Sequence, residues 1–450
     1  MTKLKTLAIA VGCALSAPAL AVTATTNTLI GWAELPAATF SDGPTSGQFA
    51  FTNAASPEND PPWIGQQSVQ GFSGILAGAA GSYRMLVDNG FGSQANSADN
   101  VLRMYAVQVD FKTALSGTGT VSAAHWNTGA ALAAFDASSR LNLNDANGQM
   151  GFTLQADYAH YYNNASNPAV DSTIQSQRLL TGADLDIEGV RQDKNGNFWF
   201  GDEFGPYLVK TDANGTVLRS EIALPGVHAP QHKDVVTGSA TSNLGGSGGF
   251  EGLAINPAGD KLYALLEKSV VGDPAKSLRI NEFDIDAEAY TSNSFLYQLE
   301  LEGTAIGDMT AIDDHRFLVI ERNGGTDTNA TDPFKKIFMV DISEVDAEGF
   351  ANKTEVVDLM NIADPDDLNG DGLTTFTFPY VTIEDVLILD ANTIVVVNDN
   401  NFPGGGGRSL TSDNTEFLMI SLANPVPEPE TYALFLAGLG LLGAVVRRRR

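Results

Sequence analysis

The chain has one cysteine in 450 residues, Cys13, and it falls within the first apolar run. Whatever folds beyond that run has no disulfide and no thiol chemistry, so it must be held by packing or by bound ions. Positive charge is also scarce: 26 Lys and Arg stand against 54 Asp and Glu, for a formal net charge of −28. Lys3, Lys5 and Arg447 to Arg450 sit at the two ends, so the body is more acidic still. Such a surface disfavours nucleic acid and anionic membrane surfaces as partners and favours divalent cations. Histidine is rare, confined to His125, His160, His228, His232 and His315. Pro230 lies between His228 and His232 and excludes a regular helical pair, so zinc and Ser-His-Asp chemistry are weak readings. A phosphate-cradling P-loop is missing too, because Gly404 to Gly407 lacks the Lys-Ser/Thr that would follow. Convincing helical periodicity is absent outside the two ends.

Both ends carry targeting patterns. Lys3 and Lys5 precede an apolar run from Leu7 to Leu20 that closes on Ala19-Leu20-Ala21, a small-x-small cleavage site, so residues 1–21 read as a secretory signal. At the other end Val426-Pro427-Glu428-Pro429-Glu430 leads into an apolar stretch from Tyr432 to Val446 and four terminal arginines. As a helix this stretch is short for a bilayer core, although flanking arginines snorkel. The arginines stay cytoplasmic and the body lies outside. These residues resemble the PEP-CTERM sorting signal, which implies removal by an exosortase-type membrane protease. The alternative is a plain tail anchor. The expected organisation is a signal peptide over 1–21, one domain over 22–424, and a sorting tail over 425–450 that begins in the inner membrane of an exporting bacterium.

Between the ends, short β-branched and aromatic runs recur, among them Phe198-Trp199-Phe200, Leu318-Val319-Ile320 and Ile394-Val395-Val396-Val397. Turn signals such as Asp193-Lys194-Asn195-Gly196 and Asn256-Pro257-Ala258-Gly259 punctuate them, which predicts an all-β fold. One two-part unit repeats five times: a small or acidic residue near glycine, then an apolar strand ending in a carboxylate or amide. The copies centre on Gly71-Phe72-Ser73-Gly74 with Asp88-Asn89, Asp186-Ile187-Glu188-Gly189 with Asp202-Glu203, and Phe250-Glu251-Gly252 with Glu267. Gly307-Asp308-Met309 with Glu321-Arg322, and Ile383-Glu384-Asp385 with Asn398-Asp399, complete the set. Radial repetition of this kind predicts a β-propeller. Six blades are favoured, with five or seven open, because the gap between the first two copies is about twice the others. That gap has room for a further blade or for an insertion such as the polar stretch 142–171.

In a propeller, equivalent positions converge on the central channel. Asp88, Glu188, Asp202, Glu203, Glu251, Glu267, Asp308, Glu321, Glu384 and Asp399 are therefore candidate metal ligands. The alternative is that they accept backbone hydrogen bonds at blade turns. Clustered carboxylates repel in low dielectric and a cation relieves this; an all-oxygen donor set suits Ca2+. Asp367-Leu368-Asn369-Gly370-Asp371-Gly372 copies the first half of an EF-hand loop, but its twelfth position is Phe378; a surface calcium loop and a polar turn both remain open.

Four pairs of stretches resemble the phytase-like family described as having esterase-like activity of phytase: Asp88-Asn89-Gly90-Phe91-Gly92 with Asn96-Ser97-Ala98-Asp99, Asp186-Ile187-Glu188-Gly189 with Gly201-Asp202-Glu203-Phe204-Gly205-Pro206, Phe250-Glu251-Gly252-Leu253 with Leu265-Leu266-Glu267, and Phe376-Thr377-Phe378-Pro379 with Thr382-Ile383-Glu384. The resemblance runs from about Gly71 to Asn401 and implies a propeller and a phosphoester hydrolase role. The catalytic candidates are Glu188, Glu251, Glu384 and Arg322, with Arg322 either clamping a phosphate or pairing with the surrounding acids. The expectation is an exported calcium-dependent hydrolase acting on a small phosphorylated or ester substrate. Two alternatives stand beside it: a non-catalytic envelope or matrix propeller that binds a ligand, and a lactonase-like metal-dependent esterase.

Overall fold

A computed structural model describes residues 26–50 and 60–427. The expected signal peptide and most of the sorting tail lie outside them. Among the described residues no helix is long and apolar enough to cross a membrane.

Five four-stranded antiparallel blades make up the fold. The first comprises Phe72–Ala77, Tyr83–Val87, Arg103–Asp110 and Thr120–Ala123. The second runs Ile187–Gln192, Phe198–Asp202, Tyr207–Thr211 and Ile222–Ala223. The third is Phe250–Ile255, Lys261–Leu266, Ser277–Asp284 and Ala289–Gln298. The fourth is Ala305–Ala311, Arg316–Arg322, Lys335–Val345 and Ala351–Asp358. The fifth takes Ile383–Asp390, Thr393–Asn398 and Thr415–Ser421 from the end of the chain and its outer strand, Thr28–Leu35, from the beginning. Antiparallel pairing of Thr28–Leu35 with Thr415–Ser421 closes the ring. The first strands of successive blades contact one another around the full circle, so they line the axis.

The β-propeller is thus as expected, but the count is five rather than the favoured six. The long gap between the first two repeats is an insertion. Residues 143–185 form turns, two 3-10 helices, Gln155–Asp157 and Tyr161–Asn163, and one brief α-helix, Ser172–Ser176, instead of a sheet. Their apolar residues Leu143, Leu154, Tyr161, Ile174, Leu179 and Leu185 join the core between the first and second blades.

Alternation along each strand sends one set of side chains into the gap before its blade and the other into the gap after it. In the fourth blade Phe317 and Val319 pack toward the third, while Leu318 and Ile320 pack toward the fifth. Five apolar clusters result, one in each gap. Trp199 and Phe250 are fully buried between the second and third blades, and the Trp199 Nε1–H donates to Asp193 Oδ2 at 3.0 Å. Trp199→Ala is expected to cost about 3–5 kcal/mol, the range for emptying a buried aromatic site. Chemical denaturation checks this, and a loss below about 1 kcal/mol would mean the gap collapses around the smaller side chain.

Candidate metal centre in the central channel

Each first strand departs from regular pairing at the same place, near the end where the chain enters its blade. The shifts fall between Phe72 and Ile75, Ile187 and Gly189, Phe250 and Gly252, Ile306 and Met309, and Ile383 and Asp385. Such bulges leave a residue outside the ladder and re-aim its side chain. The residues freed are Ser73, Glu188, Glu251, Gly307 and Glu384, one from each blade. Fifteen or sixteen positions later, at the end of each second strand, stand Asp88, Glu203, Glu267, Arg322 and Asp399. These two sets form the cluster at the axis. The glycines that follow the bulges are needed for blade approach: a Cβ on Gly189 would lie 2.8 Å from Leu253 Cβ, and one on Gly252 would lie 3.0 Å from Met309 Cβ.

Asp186, Glu188 and Glu203 each offer an oxygen within 4.8 Å of the other two, and so do Glu203, Glu251 and Glu267. Glu203 is common to both triads. Asp186 Oδ1 and Glu203 Oε1 are buried without a hydrogen-bond partner. Arg322 Nη2 donates to Glu251 Oε1 at 2.9 Å and to Glu384 Oε1 at 3.0 Å, and lies 3.7 Å from Glu267 Oε1. Ser73 Oγ donates to the other oxygen of Glu384 at 2.8 Å. Asp88 accepts the Gly90 amide at 2.7 Å and Asp399 accepts the Asn401 amide at 2.8 Å.

The electrostatics follow from crowding. Burial, and then neighbouring carboxylates, push Asp88, Glu188, Glu203 and Glu251 well above the usual carboxylate range. Burial raises Glu384 to about 8 against the opposing pull of Arg322, and Asp399 to about 6 against amide hydrogen bonds. Burial works against the charge on Arg322, but Glu251, Glu384 and Glu267 outweigh it, so the guanidinium holds its proton more firmly than usual.

Three predicted ligands stand apart from this cluster. Asp202 turns its oxygens to the Asp186 and Gly205 amides, both at 2.8 Å. Asp308 pairs with Arg191 at 3.0 Å and takes the Met309 and Val386 amides at 2.7 and 3.1 Å. Glu321 faces the blade interior, where Tyr297, the Glu300 amide and Lys353 occupy it. The fourth repeat was placed one residue off. The bulge residue there is Gly307 and its partner Arg322, and a one-residue slip in a strand moves a side chain to the other face. The EF-hand-like loop is occupied with its own bonds, Asn369 Nδ2 to Asp371 Oδ2 at 2.9 Å and the Gly372 amide to Asp367 Oδ1 at 3.0 Å.

The sequence reading missed Asp186 and Ser73 as cluster residues, and Asp385 below them. Asp186 lies two positions before Glu188, a same-side spacing in extended chain that would have flagged it. Asp385 takes the place of the glycine after the bulge. Its carboxyl is fully buried with both oxygens unpartnered, and burial followed by Asp308 and Glu384 raises it strongly.

Comparison with known proteins adds the following. The family model for phytase-like proteins, described as esterase-like activity of phytase, matches residues 67–402. The PEP-CTERM protein-sorting motif matches residues 425–450, a signal for export and sorting at the cell envelope that implies processing by an exosortase. An uncharacterized secreted protein of Arthroderma benhamiae is 31% identical over 124 residues, which cover 22% of this chain and 24% of that protein. The chain thus matches about a quarter of that curated relative's length. Among solved structures, a luciferin-regenerating enzyme is 10% identical with a TM-score of 0.34, covering 90% of this chain and 96% of its own. The α-L-arabinofuranosidase of Podospora anserina is 10% identical with a TM-score of 0.39, covering 89% and 100%.

Carboxyls raised in the folded state hold protons that the unfolded chain has released. Without cation, the chain is expected to lose stability as pH rises from about 4, the ordinary carboxylate value, to about 8, the value for Glu384. Melting temperatures in chelator across this range check it; a curve that rises with pH would show that the cluster is not protonated in the folded chain.

Proposed function

Since the chain belongs to the family described as having esterase-like activity of phytase, and since two carboxylate triads meet at Glu203 on the channel axis, we propose that it is an exported, calcium-dependent phosphoester hydrolase. The overlapping triads carry the reading. The residues fit a hard cation: the donors are all carboxylate oxygens, neither Cys nor His is among them, and Asp186 Oδ1 and Glu203 Oε1 have no other partner. Asp186, Glu188, Glu203, Glu251 and Glu267 would hold it. Bound there, calcium would offset the repulsion among these groups and supply a Lewis acid for a phosphoryl oxygen and for water.

The other residues of the cluster supply what calcium does not. Arg322 is fixed by Glu251 and Glu384, and its Nε is buried without a partner, so it offers a donor to an anionic substrate oxygen. Glu384, which burial raises to about 8 in the cation-free chain against the pull of Arg322, is suited to exchange a proton with a leaving oxygen. A cation on these acids would draw an anionic substrate oxygen into the channel, which makes activity depend on the cation.

The test is phosphate release from a chromogenic phosphomonoester and from phytate, in calcium and in chelator. Release is expected only in calcium. Glu188→Gln and Glu251→Gln are expected to weaken calcium binding and turnover together, each roughly tenfold or more. No release with either substrate, while calcium still raises the melting temperature, would replace the hydrolase with a metal-stabilised binding propeller. Unchanged calcium affinity in both variants would remove the channel site itself.

A further inference from the structure

A buried positive charge that the channel does not use lies in the first blade, on the strand Arg103–Asp110. Arg103 is only 1% exposed. It stands beside the hairpin that pairs Phe40–Asp42 with Gln66–Ser68, on the segment leading from the closing strand Thr28–Leu35 into the first blade. Its Nη1 donates to Tyr105 Oη at 3.1 Å, while Nε and Nη2 are buried without a hydrogen-bond partner. Those two N–H groups share one edge of the planar guanidinium, the edge that grips an acid with two parallel bonds. The chain uses this edge elsewhere. Arg279 sets Nε and Nη2 on Asp273 at 2.7 and 2.6 Å, and Arg408 sets the same pair on Glu416 at 2.8 and 3.2 Å. On Arg103 no acid among the described residues meets it.

The surroundings leave a positive charge uncancelled. Arg140 lies opposite Tyr105 in the neighbouring strand, so a second guanidinium is close by. The nearest acid, Asp42, pairs with Arg140 instead, and its side chain is 61% exposed. Asn142 stands directly across the ladder from Arg103, but its Oδ1 makes no hydrogen bond and does not reach the guanidinium. Burial, and with it Arg140, works against the charge on Arg103. A guanidinium stays protonated inside a protein, so the cost of burying it is met only by a counter-charge.

We propose that the Nε and Nη2 edge of Arg103 binds a small monovalent anion of the halide class. Two arginines and one aspartate leave one positive charge over, and one such anion cancels it. A doubly charged ion such as sulfate would leave a negative charge in its place and lose far more hydration on entry. The site is therefore distinct in its chemistry from a channel that takes phosphate. The walls are set in advance. Gln67 accepts the Val101 amide at 2.8 Å and donates to Asp99 O at 2.7 Å, which fixes the hairpin against the blade. Gly43 adds no side chain beside the guanidinium; a Cβ there would stand 3.4 Å from Nη2.

The intact chain is melted at fixed ionic strength and fixed calcium while chloride replaces gluconate. The melting temperature is expected to rise with chloride and then level off, as binding to a folded-state site requires. Arg103→Met is expected to abolish this rise. Arg103→Lys keeps a charge but lacks the paired N–H edge, and is expected to weaken chloride roughly tenfold. Crystals of the parent chain grown in sodium bromide are expected to show an anomalous bromine peak within hydrogen-bonding distance of Nε and Nη2. Water alone at that edge, a parent melting temperature indifferent to chloride, or a chloride response undiminished in Arg103→Met overturns the proposal. The bromide measurement uses the parent chain, so it decides the matter even where a variant fails to fold.

Discussion

The structure depends on burying like charges at one point. Asp186, Glu188, Glu203, Glu251, Glu384 and Asp399 are all nine-tenths or more buried, and the partly buried Asp88 lies among them, with the Arg322 guanidinium reaching Glu251 and Glu384 from one side. Each carboxylate there opposes the next, and no local interaction would gather them in an isolated strand or hairpin. What gathers them is the ring. Five apolar gaps force five first strands to the axis, and the bulge at the head of each turns one side chain inward. The stability that holds the acids together is thus generated away from them, between the blades.

The cluster is also lopsided, and the fourth blade makes it so. Where the second, third and fifth blades supply a glutamate at the bulge, the fourth supplies Gly307, whose absent Cβ would sit 1.9 Å from Ile383 O. Where the other four supply a carboxylate at the end of the second strand, the fourth supplies Arg322. The two departures belong together, because a guanidinium reaching to Glu251 and Glu384 spans the blades on either side of Gly307. Positive charge therefore sits beside one wall, and the overlapping triads lie among the second and third blades. Below them Arg191 pairs with Asp308, and Asp385 has no counterpart. A ring of identical blades would have no such sidedness.

Much of this was legible in the chain, and the failures have physical causes. Glu188, Glu251 and Glu384 stood out because an apolar residue precedes each one and a glycine or small acid follows. That pattern reflects the bulge and the close blade contact behind it. Asp308 and Glu321 misled because the fourth repeat replaces both expected acids, leaving acids one position to the side. Alternation then turned a near match into the opposite face. The blade count failed for another reason. Spacing alone does not distinguish a missing sheet from an insertion that feeds its apolar residues into a neighbouring gap, as Leu154 and Ile174 do. Proximity in space was the hardest to read: Pro230 correctly excluded a helix through His228 and His232, yet the turn it permits sets the rings in contact.

The propeller also fixes how its two ends face. The first strand of the fifth blade starts beside Glu384 in the cluster and finishes at Asp390, a run of about 20 Å at 3.3 Å per residue. The Val426 amide donates to Ala391 O at 2.8 Å, next to that far end. Val426 and Pro427 there border a depression shared with Asp193, Asn256 and Asp390, all at hairpin turns remote from the acids. The described start of the sorting motif, residues 425–427, therefore lies on the face opposite the carboxylate cluster. The bulged ends of the blades, where Glu188, Glu251 and Arg322 meet, point the other way. The blade strands keep the start of the sorting motif and the carboxylate cluster apart by their length.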